Sequence, residues 1–311
     1  MLSQDLVRVG AYLSVLGVMA TWEVLAPRRP LTASKLCRWG GNLTIVVLNT
    51  VIARLFFMGG VVAVAAMAQD RGWGLLNLME GPSWLENGLA VVALDFIIYW
   101  QHQVFHYVPI LWRFHMMHHS DLDLDVSSGV RFHPVEIILS TAIKAVSVLA
   151  LGAAPLAVVI FEIVLNSTAL FNHSNVTLPL AAEPYLRWFI VTPDMHRIHH
   201  SVDVRETNSN YGFNVPWWDR LFGTYCAEPA LGQLGMKIGL EHLGPPVCLN
   251  LFMMLRFPFV RSSGATSAEL SREVVRRLFP DSSRMLIVPP PPTWILVQSI
   301  PCMNSCWCWS V

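Results

Sequence analysis

Charge is scarce in this chain. Acidic and basic residues make up 14% of it, against roughly a quarter in soluble domains, and they cancel to a formal net charge of zero. No global field exists to draw a nucleic acid, and none is expected as a partner. Six cysteines, Cys37, Cys226, Cys248, Cys302, Cys306 and Cys308, include no CxxC pair. Neither a disulfide framework nor a zinc ribbon follows, and no run of them could hold an iron–sulfur cluster. HExxH is missing, which counts against an intramembrane zinc protease. No HPGG-type haem motif is present, and no internal repeat of solenoid period.

What remains is apolar. Such residues are 54% of the 311, and the mean hydropathy is positive. This composition belongs to a membrane protein. Residues 7–26 form a run of about the twenty residues a bilayer needs. Basic residues follow that run instead of preceding it, so it reads as a retained helix and not a signal peptide. The loop behind it carries Arg28, Arg29, Lys35 and Arg38, which the positive-inside rule assigns to the cytoplasm. A second span is expected over 42–68, with Arg54 paired inside the protein to Glu23 or Glu162. A third starts near Trp84. Beyond Pro134, Gly152 and Pro155 divide another apolar region into two segments, an up-and-down hairpin that returns the chain to the side it left.

Ten of the eleven histidines lie between His102 and His200. They come at helical spacings: His102 and His106, then His115, His118 and His119, then His196, His199 and His200, with His133 and His173 between. Residues three or four apart share a helix face, so each cluster can aim several imidazoles at one point. Imidazole is the commonest protein ligand for transition metals, and ten suit two ions better than one. The topology agrees, because every histidine of the set falls on the cytoplasmic side. Thr192, Pro193 and Asp194 read as the start of the helix that carries the last cluster. Asp95 falls on the face of His102 and His106, and Asp95 and Asp194 are candidate neighbours for the ligands' second nitrogens. Trp217 and Trp218 suit an interfacial belt or a substrate entrance.

The expected architecture is an all-α membrane protein. A stem of three spans plus a helical hairpin carries a cytoplasmic, histidine-lined dimetal cap over residues 1–243. Residues 244–311 form a tail of unassigned role, in which Thr266 and Glu269 open one short amphipathic helix.

HQVFH (102–106), WRFHMMHHS (112–120), RFHPVE (131–136), FNHSN (171–175) and TPDMHRIHHS (192–201), extended by NYGFNVPWWDRLFGT (210–224), resemble the fatty acid hydroxylase superfamily, which includes the sterol desaturases. The resemblance covers about 10–243. It implies O2-dependent hydroxylation or desaturation of a lipid by two iron ions, with His102, His106, His115, His118, His119, His196, His199 and His200 as ligands and His133 and His173 completing the set. Zinc would bind the same ligands, and affinity alone does not choose. Gln103 follows the first histidine where the family often has Arg. With no electron-carrying motif of its own, the chain would draw electrons from a separate cytochrome b5-, ferredoxin- or reductase-like donor, in a bacterial inner membrane or the endoplasmic reticulum. The rival expectation is a histidine-rich metal transporter or metal-binding protein without oxygenase activity.

Overall fold

The computed structural model describes residues 2–240 and 251–259. Seven helices make the body: α1 (Leu2–Leu25), α2 (Lys35–Phe56), α3 (Gly60–Asp70), α4 (Ser83–Tyr107), α5 (Pro109–His119), α6 (Pro134–Leu151) and α7 (Pro155–Asn172). Short helices follow, α8 (Glu183–Leu186), α9 (Pro193–His199), α10 (Val204–Thr207), α11 (Trp217–Phe222) and α12 (Gly232–Gly235), with a last turn at Leu251–Arg256. No strand occurs among the described residues; two isolated bridges, Pro27 with Val176 and Ser201 with Ile238, tie loops together.

Five segments are long and apolar enough to cross a bilayer: Gln4–Leu25, Lys35–Leu78, Ser83–Tyr107, Pro134–Leu151 and Pro155–Asn172. The chain is an integral membrane protein. The α6–α7 hairpin follows its sequence punctuation. Gly152 closes α6 in the left-handed conformation (φ 69°), and Pro155 opens α7. Against this turn lies the loop between α3 and α4. A Cβ on Gly74 (φ +98°) would sit 2.1 Å from the Gly152 nitrogen, so both turns require glycine and both mark one end of the stem. The histidines lie at the other end.

The second span departs from expectation. Its helix begins at Lys35, not 42, and breaks after Phe56, where Phe57 leaves helical dihedrals and Gly59 takes φ 84°. The first four turns of α2 also carry polar contacts to the segment after α5. Arg38, Asn42 and Asn49 are buried, and Asn49 donates to the carbonyl of Phe132. The break at Phe57–Gly59 separates α2 from α3. Arg54 is exposed and pairs with neither expected carboxylate. Glu23 instead holds Lys35 and the backbone of Val126 and Asn175, and Glu162 holds Arg8 and Lys144.

The basic loop after α1 is likewise drawn inward. Arg28 grips Asp194 through two nitrogens, and Arg29 reaches the carbonyl of Met236. Arg38, with no exposed surface, takes Asp121 bidentately at 2.7 and 2.9 Å and Asp125 at 2.5 Å. Arg131 extends this network, bonding Asn42, Ser120 and the Met117 carbonyl at the end of α5. Fully buried guanidinium–carboxylate pairs are tolerated only when their remaining hydrogen bonds are filled, as they are here. The helix and capping box expected from Thr266 and Glu269 lie outside the described residues, as do Cys248, Cys302, Cys306 and Cys308.

Candidate metal centre

Several local devices place the histidines. Pro109 restarts the chain as α5 directly after α4, folding His115 back beside His102, with Nε2 atoms 3.2 Å apart. Thr192 caps α9 by accepting from the Met195 amide, with Pro193 at the first helical position, as its sequence suggests. His173 and His200 are the C-cap residues of α7 and α9.

Nine histidines converge, in two groups. The first holds His102, His106, His115, His119 and His199; the second holds His118, His173, His196 and His200. Within each group the candidate donor atoms lie within 4.8 Å of one another. The groups adjoin, since His119 stacks on His200 with ring centroids 4.4 Å apart. The two HxxHH clusters do not each serve one point. His115 and His119 enter the first group while His118 crosses to the second; His196 and His200 enter the second while His199 crosses to the first.

The environment holds these rings neutral. Burial pushes the His118, His119, His196 and His200 imidazoles far below their usual range, and the neighbouring imidazoles push the same way. Burial likewise takes His199 down to about 3 and His173 to about 4, against backbone hydrogen bonds that act to raise them. Neutral imidazole is the metal-binding form.

The hydrogen bonds then fix which nitrogen is free. A carbonyl or carboxylate oxygen only accepts, so the ring nitrogen facing it carries the proton. Nδ1 of His102 donates to the Tyr211 carbonyl at 2.8 Å, of His115 to Glu136 at 2.7 Å, of His199 to the Ser209 carbonyl at 2.8 Å and of His173 to the Ala169 carbonyl at 2.8 Å. His106 Nδ1 lies 3.3 Å from Asn208 Oδ1. The Nε2 lone pairs of all these rings are thereby turned inward. His102 and His115 face each other with two lone pairs and no proton between them, while Nε2 of His106, His119 and His199 has no hydrogen-bond partner. Opposed lone pairs in a buried pocket repel unless a cation lies among them. The donor set therefore fits metal ions, with the Nδ1 contacts that metal-bound histidines commonly make.

His133 joins neither group. Its Nδ1 accepts from the Val135 amide as the N-cap of α6, its Nε2 lies 3.2 Å from the Leu255 carbonyl, and its ring packs between Phe114 and Phe259. The following Pro134 holds His133 in extended geometry, which turns the ring to that cap. Nor does either expected acid have a histidine among its hydrogen-bond partners. Asp95 accepts from Trp218 Nε1 at 2.7 Å, tying α4 to α11, and Asp194 is held by Arg28 and Arg197. Trp217, half exposed, bonds the Trp188 carbonyl.

The carboxylate that does meet one of the clustered histidines is Glu136. Its signal was in the RFHPVE motif, one helical turn beyond the histidine that instead became the cap. The loop 208–213, which runs into the NYGFNVPWWD stretch, supplies Asn208 and the Ser209 and Tyr211 carbonyls. Asp219 pins it by accepting from the amides of Tyr211 and Gly212, both at 2.8 Å. Burial raises the Asp219 carboxyl to about 6, against the hydrogen bonds it receives. A Cβ on Gly212 would come within 2.7 Å of that carboxylate. A cavity of about 1410 Å³ begins at His102, His115, Phe132 and Glu136 and runs into the stem between α1, α3, α6 and α7.

Residues 88–224 match the fatty acid hydroxylase family pattern. Over 232 residues the chain is 29% identical to ornithine lipid hydroxylase OlsE of Rhizobium tropici, covering 70% of this chain and 66% of that protein. Over 157 residues it is 32% identical to human alkylglycerol monooxygenase, covering 50% of this chain and 33% of that one. A rice very-long-chain aldehyde decarbonylase, GL1-5, is 26% identical over 158 residues, 46% of this chain and 25% of its own. The matches thus span just under two thirds of the first relative and a third or less of the other two. No solved structure matches the chain.

Proposed function

We propose that this chain, whose residues 88–224 match the fatty acid hydroxylase family pattern, belongs to that family and is a membrane-bound non-haem di-iron enzyme that uses O2 to hydroxylate or desaturate a lipid. The observation that carries the reading is the junction of two inward-facing histidine groups with a cavity that continues into the stem. In this reading His102, His106, His115, His119 and His199 hold one iron, and His118, His173, His196 and His200 the other. Two relatives bear names of enzymes that oxidise lipids, which supports a lipid in the cavity. When bound, ferrous iron supplies the electrons and the O2 chemistry that can break an unactivated C–H bond.

The protein's own share is orientation, dryness and proton placement. Glu136 keeps the proton on His115 Nδ1, and the loop carbonyls do the same for His102 and His199. Phe132, Phe213 and Ile98 line the cavity near the histidines. They leave an extended alkyl chain beside those rings and keep water from competing. Hydroxylation puts one oxygen atom of O2 into the product and the other into water, which needs two electrons from a separate donor. We place the histidine end at the cytoplasm. The basic loop Arg28–Arg29 lies at that end and supports it, although both guanidinium groups are engaged within the protein.

The test joins metal and product. Purified protein should hold about two irons per chain, and cells expressing it should gain an oxidised lipid. His118→Ala and His199→Ala, one from each group, should each remove both. Metal uptake into vesicles without O2 consumption would overturn the proposal in favour of a transporter.

A further inference from the structure

The cavity is not apolar throughout. Ten residues along α6 from Pro134 stands Lys144, and eleven along α7 from His173 stands Glu162, each about 15 Å into the stem from the histidines. Lys144 Nζ lies 3.3 Å from Glu162 Oε1, and Arg8 of α1 lies 2.5 Å from Glu162 Oε2. All three line the same cavity as His102 and His115. Two cations thus share one largely buried carboxylate, and among the described residues the other ion pair of Arg8 is with Asp5 at the surface. A lysine ammonium carries three donors, and this one spends one of them on a long contact. Charged groups at this depth are costly and ordinarily stand where function needs them.

We propose that Lys144, with Arg8, receives the acidic headgroup of the substrate, a single-chain lipid carrying a carboxylate or phosphate. Its hydrocarbon runs down the cavity past Gln101 and Ser140, which bond each other at 2.6 Å, to the histidine end. The carbon presented there lies about a dozen methylenes from the acid, so oxidation falls far from the headgroup. Glu162 holds the two cations in place and is the group the ligand's acid competes with. The inference rests on the cavity being the substrate's, as the proposed function has it.

Binding separates the two, because it needs no turnover. Full-length protein in nanodiscs is titrated with palmitate, palmityl phosphate and the neutral methyl palmitate and hexadecanol. At least one acid should bind about tenfold tighter than the neutral compounds, the effect of one charge-assisted hydrogen bond, and the tighter acid identifies the headgroup. Lys144→Gln should erase the preference. Glu162→Gln should tighten acid binding, which a purely structural ion pair would not do. Equal binding of acid and neutral compounds by the natural protein, a preference that survives in Lys144→Gln, or no tightening in Glu162→Gln overturns the proposal. The oxygenase reading fails separately, on iron content and product.

Discussion

At the scale of single residues, the decisive distinction is between histidines whose lone pairs turn inward and the one whose lone pair caps a helix. Glu136→Ala should weaken metal binding by about ten- to a hundredfold, the usual effect of losing the carboxylate behind a ligating histidine, read from metal retained against a competing chelator. His133→Ala should instead leave metal content unchanged and cost about 0.5–2 kcal/mol of stability, as loss of an N-cap does. The clusters themselves were legible, because imidazoles at helical spacing have few other uses. The cap role of His133 was not legible: its motif is the same whether the ring turns to the metal or to the Val135 amide, and the contact with Leu255 comes from 122 residues away.

Protonation belongs to this scale too. His199 and His173 are held at about 3 and about 4 by burial, below the 6.5 of an unfolded imidazole. The stability they contribute is complete above 6.5. It is lost as pH falls below that value toward 4, because the unfolded chain takes up protons that the folded one refuses. The thermal unfolding midpoint in detergent should therefore drop steadily between about pH 7 and pH 5. A flat profile across that interval would contradict neutral buried rings.

At the scale of elements, the two HxxHH motifs exchange their middle histidines. The i and i+4 rings of each keep to one group, and the i+3 ring crosses to the other. Helical spacing predicts a shared face but cannot divide that face between two points about one ring apart; the division follows from the rings of His118 and His119 on α5 packing against those of His199 and His200. Arg38 is the element-level counterpart, fastening α2 to the segment after α5. Arg38→Gln strands Asp121, whose carboxyl burial would raise but whose Arg38 partner brings to about 2. The variant should cost about 3–5 kcal/mol, as breaking a buried ion pair does, measured by denaturant unfolding, with loss of metal in parallel. Sequence assigned Arg38 to a cytoplasmic membrane surface. Positive charge near a span is common to surface loops and buried networks, and only the acids supplied by the segment 121–125 tell them apart.

At the scale of the whole molecule, the cavity joins the histidine cap to the stem. Ser140→Phe, midway between Lys144 and the histidines, should abolish product while leaving iron content unchanged, read by lipid mass spectrometry beside metal analysis. Loss of both would mean that the change had disturbed the cap itself. The sequence by itself determined the membrane class, the hairpin at Gly152 and Pro155, and the eight clustered histidines, because hydrophobic length, turn chemistry and helical period are local properties. Tertiary structure alone decided the break at Gly59, the sorting of the histidines into two groups, the partners Glu136 and Asn208, and the charged floor of the cavity. Each of those depends on which distant segments share a buried volume, and local periodicity carries no record of that.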